Sequence, residues 1–441
     1  MTFEASVGSV DITPEFPPFP SLWMGGYGWV PRGNHGRVAR RLRAHCLVLW
    51  DDGIAHVLLR ADVISVPRDV HGLIRDTLVD EELVTPERFL LNGSHSHSAA
   101  CLGDTRPDPR LVLNLGPADV DAVNGTTSLT ASLLIQLVRD TFDGERTPVS
   151  LTYGTTSAPL GFNRAGLPTV LDEVPVVVLR RLSNGRKFCL LFGAACHPVS
   201  RGNDDVFDGD YPGAAAERVE SEFDVPALFF QGCAGDQDPI EPHLPTRPEA
   251  LGDLLASAVV DRVNEGDLTP LTGHIQARST EIDLPFSVDL GDPDVVEELR
   301  EKYEERRANP ETPVTGRHAS AILDLIEDDT LPTSIPLPMW AWRFGGLAIL
   351  GLGHEVLSSY DRKLHRAFGG PLWVMAYTGE VECYVPDDRA LREGGYEAGW
   401  SGDDNEIAGI DSAAMSYKWP APLEEGVEQQ ILDAALKLLN G

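Results

Sequence analysis

The stretch Phe188-Cys189-Leu190-Leu191-Phe192-Gly193-Ala194-Ala195-Cys196-His197-Pro198-Val199-Ser200 decides the fold. Its apolar run, Phe188 to Ala194, has the length of a strand buried on both faces, and it stops at a polar His-Pro-x-Ser loop. Tyr211 to Phe223 follows with a 3.6-residue apolar period, and Pro226 to Phe230 reads as another buried strand. Working outward, Ala44 to Trp50, His56 to Leu59, Arg88 to Leu91 and Val174 to Leu179 read as strands. Pro67 to Asp80, Val120 to Phe142 and Glu249 to Val263 read as helices. The alternation predicts an α/β fold, with a mixed, largely parallel sheet and helices on both faces.

Ile335 to Trp342 and Leu347 to Leu352 flank the turn Arg343-Phe344-Gly345-Gly346 and predict a hairpin that feeds a helix beginning near Glu355. Trp373 to Tyr377 predicts one more strand, and Leu423 to Leu439 a terminal amphipathic helix. Residues 285–336 are charged and helical in pattern, as a helical excursion or lid within a single domain spanning residues 1–441.

Open α/β sheets bind ligands beyond the carboxyl ends of their strands. Four polar segments lie at such ends: Ser94-His95-Ser96-His97-Ser98, Cys196-His197-Pro198, Gly353-His354-Glu355 and Cys383-Tyr384-Val385-Pro386. Two histidines and a carboxylate from separate strand ends can hold Zn²⁺ with a position left open, a catalytic layout. Taken singly, a His-x-His loop is as compatible with a solvated turn, and a His-Pro with a structural bend.

These segments, in this order, resemble the neutral/alkaline non-lysosomal ceramidase family, from Val10 to about Ala398. The resemblance is carried by Asp11-Ile12-Thr13-Pro14, Gly26-Tyr27, the Ser94–Ser98 loop, Asn163-Arg164-Ala165, His197-Pro198-Val199-Ser200, Gly209-Asp210 and Gly235-Asp236-Gln237-Asp238-Pro239. It continues through Leu352-Gly353-His354-Glu355, where His354 takes the usual glycine position, to Tyr384 and Gly395-Tyr396-Glu397. It implies a ceramidase-like catalytic domain with one Zn²⁺ per chain held by His95, His197, Glu355 and Tyr384. His97 and Arg164 would then line the substrate side, and Asp210 and Asp236 would brace loops around the ligands. The activity implied is hydrolysis of an amide or ester bond by a zinc-activated water, with His97 as general acid or base and Arg164 orienting the substrate.

Two departures qualify the resemblance. Gly232, in Gln231-Gly232-Cys233-Ala234, stands where the ceramidase branch has a serine, and no counterpart of the family's C-terminal β-sandwich is expected. The expected substrate is therefore a smaller or more soluble N-acyl or ester compound than membrane ceramide. Two other readings compete: a cysteine-dependent hydrolase using Cys233, and a non-catalytic metal-binding relative.

Composition narrows the partners. The formal net charge of −32 repels nucleic acid and anionic membranes. The only lysines are Lys187, Lys302, Lys363, Lys418 and Lys437, so the acidic surface reads as halophilic. No stretch is long and apolar enough to span a bilayer, which predicts no integral membrane association. Met1 to Val10 has no signal-peptide pattern, and the widely spaced cysteines suit a reducing compartment, so a cytoplasmic location is expected.

Overall fold

The computed structural model describes residues 3–15, 22–26, 32–103, 114–240, 247–402 and 404–441. Tyr27 lies outside them. The larger sheet contains β1 (Phe3–Asp11), β2 (Arg43–Asp51), β3 (Ile54–Ala61), β4 (Phe89–Gly93), β5 (Thr147–Ser157), β6 (Glu173–Arg181), β7 (Lys187–Ala194), β8 (Ala227–Gln231) and β9 (Thr269–Leu271). Its spatial order is β8-β7-β6-β5-β1-β2-β3-β4, with β9 beside β5. The smaller sheet runs β10 (Gln276–Pro285), β11 (Ser334–Phe344), β12 (Leu347–Leu352) and β13 (Leu372–Met375) in that order.

The α/β class and the mixed sheet hold, but the sheet is not largely parallel. Within the larger sheet only β7 with β8 and β3 with β4 run parallel. The physical reason lies in the connections: β2 and β3 are joined by the tight turn at Asp52-Gly53, and β6 and β7 by a short turn, which permit only antiparallel pairing.

Helices do not cover both faces of the sheet either. Cys46, Val48 and Trp50 on β2 pack with α1 (Arg68–Asp80) and α2 (Pro117–Phe142), and Leu190 and Phe192 on β7 pack with α3 (Asp210–Phe223) and α4 (Arg247–Glu265). The alternate residues Leu47, Leu49 and Leu191 meet Trp340, Trp342, Ile349 and Trp373 of the smaller sheet. The layers are therefore α/β/β/α, because period-2 alternation gives each strand two apolar faces. Trp342 is fully buried at this junction with His56 edge-on at 5.3 Å; Trp342→Ala would cost about 3–5 kcal/mol.

The outer face of the smaller sheet carries α7 (Ser358–Phe368) and α10 (Val427–Asn440). Residues 285–336, expected as an excursion or lid, form a helical pair, α5 (Pro293–Ala308) and α6 (Pro313–Glu327). Tyr303 donates its hydroxyl to Pro420 O at 2.6 Å and His318 Nε2 bonds Trp419 O at 3.1 Å, which anchors the pair to the C-terminal segment. No helix among the described residues is long and apolar enough to cross a membrane.

Candidate metal centre

Four loops at strand ends converge. After β4, Ser94 N donates to Ala61 O and His95 N to Val63 O, turning the chain so that His95 adopts φ 63°. After β7, His197 N donates to Gln237 O, and Cys196 O accepts from Tyr211 Oη at 2.6 Å and Gln231 Nε2 at 2.7 Å. Glu355 lies in a two-residue parallel ladder, Glu355–Val356 against Tyr384–Val385, so Glu355 and Tyr384 are direct partners on one face. The expected helix start at Glu355 is corrected: the helix begins at Ser358, because Leu357 is still extended and Asp236 accepts from Ser358 N at 2.8 Å and Ser358 Oγ at 2.9 Å.

The ladder brings the side chains together. Glu355 Oε2 lies 3.1 Å from His95 Nε2 and 3.2 Å from His197 Nε2. Each histidine donates its other ring nitrogen, Nδ1, to a carbonyl at 2.6 Å: His95 to Ile64 O and His197 to Ala234 O. A neutral imidazole that donates from Nδ1 has a lone pair on Nε2, so two lone pairs face a carboxylate oxygen. That arrangement repels unless a positive charge, either a proton on an imidazole or a metal ion, sits among the three atoms. Burial alone would raise the Glu355 carboxyl, yet positive charge on the facing His95 ring, N–H donation from both rings and charge on His197 would hold it well below the usual carboxylate range, so the site calls for a positive charge at this point. The donor set, nitrogen and oxygen with each histidine fixed by a carbonyl, fits Zn²⁺.

Tyr384 Oη lies 3.4 Å from His197 Nε2, at the edge of the same cluster. Burial, then Glu355, raises its phenol well above the ordinary value, while Arg164 opposes the rise. His97 Nε2 sits 3.1 Å from His95 Nε2, so His95, His97 and His197 also form a group that could hold an ion. His97 keeps 9% exposure against 2% for His95 and 0% for His197. Burial, followed by His95 and His197, pushes its imidazole well below the ordinary value and keeps it neutral.

Arg164 is held by neighbours on every nitrogen. Its Nε donates to Glu397 at 2.7 Å, Nη1 to Asp238 at 3.2 Å, and Nη2 to both Gly235 O at 2.8 Å and Tyr384 Oη at 3.1 Å. Asp236 joins the Ser358 groups to Asn163 Nδ2 at 2.6 Å, tying the Arg164 turn to the Glu355 segment. Asp210 accepts from Ser200 Oγ, from Arg201 N at 2.9 Å and from Tyr211 N at 2.6 Å, and so braces the His197 loop; burial raises its carboxyl to about 6.

Two tyrosines at the site carried no sequence signal. Tyr417 donates its hydroxyl to Glu355 Oε1. Tyr377, at φ 54°, packs its ring on His95 with centroids 4.4 Å apart. Tyr417 lies outside the four strand-end segments, and Tyr377, just past the end of β13, reads from sequence as the end of that strand.

The sequence matches no protein-family model and no curated protein. The structure superposes on that of neutral ceramidase from Pseudomonas aeruginosa with a TM-score of 0.71 and 15% identity, covering 99% of this chain and 74% of that one. A ceramidase complexed with C2 also gives a TM-score of 0.71 and 15% identity, over 99% and 75% of the two chains. The chain has the neutral ceramidase fold.

Within the ceramidase fold, Gly232 lies against the preceding loop: a Cβ there would stand 3.1 Å from Ala195 Cβ. Cys233 points into the apolar core and is fully buried; burial, then Asp361 and Asp236, pushes its thiol well above the ordinary range. A protonated, inaccessible thiol is no nucleophile. Cys196 is equally buried with its thiol raised, and all six cysteines are free.

Proposed function

We propose that the chain is a zinc-dependent hydrolase of an amide or ester bond, acting on a small or soluble N-acyl compound. The observation that supports this reading is the approach of two Nδ1-anchored histidines to one oxygen of Glu355, a donor set that suits a bound cation. His95 Nε2, His197 Nε2, Glu355 Oε2 and the Tyr384 hydroxyl would hold one Zn²⁺. When bound, the ion supplies Lewis acidity and lowers the pKa of water to near neutrality.

The chain's own residues do the rest. His97, whose Nε2 lies 3.1 Å from His95 Nε2, would take the attacking water's proton at Nε2 and return it to the departing amine or alcohol. Arg164 donates from Nη2 to the Tyr384 oxygen and favours its anionic form. Asp210 and Asp236 keep the His197 and Glu355 segments in register. The N-acyl class follows the solved neighbours, both ceramidases by name. The chain's charge of −32 favours a neutral or cationic leaving group over an anionic one.

Metal content of the wild type and of His197→Ala tests the reading, followed by turnover of acyl amides and esters. One zinc per chain, lost in the variant, and amide or ester cleavage are expected. A folded wild type that takes up no zinc would sink the proposal.

A further inference from the structure

His354 is fully buried and holds φ 69°, a left-handed conformation that glycine takes freely and a histidine takes only with backbone strain. Every hydrogen-bonding group it owns is used. Nε2 donates to Pro336 O at 2.8 Å, at the start of β11, and Nδ1 accepts from Glu382 N at 3.1 Å. Its own N–H donates to Glu380 O at 2.8 Å, and its carbonyl accepts from Tyr377 N at 3.1 Å. Three of these four bonds run to the segment that ends in Tyr384; the fourth fixes that assembly to the smaller sheet. The next bond along the chain, Glu355 N to Cys383 O at 3.0 Å, opens the ladder that sets Glu355 beside Tyr384.

We propose that His354 is a positioning residue for the metal centre. Its ring fastens the 377–384 segment to the sheet, and its left-handed backbone aims Glu355 at His95 and His197. The role in metal binding rests on the zinc reading above; the mechanical role does not.

Two variants separate them. His354→Gly frees the backbone and removes the bridge, and His354→Asn accepts a left-handed backbone but is too short to span Pro336 and Glu382. Amide hydrogen exchange is followed in metal-free protein, and zinc affinity is measured by chelator competition at a temperature where each variant is folded. Faster exchange confined to 354–357 and 382–385, with zinc bound about 10–100-fold more weakly, is expected. Unchanged exchange in these segments, or unchanged zinc affinity in either folded variant, would overturn the proposal even if the melting temperature fell, since a purely structural role predicts that. If the wild type binds no zinc, the metal reading fails and the exchange pattern alone decides the mechanical role.

Discussion

The hydroxyl of Tyr417 bonds Glu355 Oε1, while His95 and His197 both face Oε2 of the same carboxylate. The two oxygens are thus differentiated: Oε1 takes the Tyr417 hydroxyl, while Oε2 takes a longer bond from the Tyr377 hydroxyl at 3.4 Å and faces both imidazoles. Tyr417→Phe leaves Oε1 buried without this donor and lets the carboxylate turn. Zinc affinity should fall about 10–100-fold with the fold retained, as measured by chelator competition and circular dichroism. Wild-type affinity in the variant would contradict the division of labour.

Gly26 lies directly against the His97 ring. At φ 92°, a Cβ on it would stand 2.5 Å from His97 Nδ1, so Gly26→Ala must displace the imidazole. Turnover should drop about 100-fold while zinc content stays unchanged. Loss of zinc together with activity would instead make His97 a ligand.

Cys233→Ala distinguishes the thiol chemistry suggested by Gln231-Gly232-Cys233 from a role in packing. Because the side chain is fully buried, full turnover and a stability loss of about 1 kcal/mol are expected. Abolished turnover in a folded variant would restore the thiol reading.

His71 provides the clearest pH dependence remote from the metal centre. It stacks on Phe89 with centroids 6.1 Å apart, and burial, then Arg75 and Arg68, pushes its imidazole down to about 3. The unfolded chain takes up this proton near pH 6.5, so the stability contributed is complete above that value and is lost as pH falls toward 3. Urea titrations at pH 7 and pH 4 should show His71→Phe losing less stability than wild type, by on the order of 3 kcal/mol. Equal losses would refute the shift.

The buried elements were legible because their composition states their environment. Phe188 to Ala194 became β7 with one residue added, and Pro67 to Asp80 became α1 with one removed. The loops bearing His95 and His197 follow from where those strands stop. By contrast, β10 is exposed along most of both faces, with only Leu284 buried, and owes its existence to a ten-residue pairing with β11, information held in another part of the chain. The apolar stripe from Val356 onward has helical spacing and points to a helix start at Glu355; the two-residue ladder with Tyr384 interrupts it, and no local propensity announces so short a pairing. Tyr417 stands 62 positions from Glu355, and a phenol in a short helical turn carries no spacing signal. The face-to-face stacking of two sheets was illegible for a related reason: an apolar strand face says that it is covered, not what covers it.

The backbone groups of Phe229 and Gln231 point toward the outer side of β8, away from β7. Arg60 Nε donates to Phe229 O at 3.4 Å, and Asn92 accepts from Gln231 N at 2.8 Å through its side-chain oxygen. A terminal strand that would otherwise be a template for intermolecular pairing is sealed by side chains of its own chain. Loss of Asn92 would therefore threaten colloidal behaviour before catalysis: the first sign would be fibrillation or co-aggregation during refolding, through an unzipped border of the sheet.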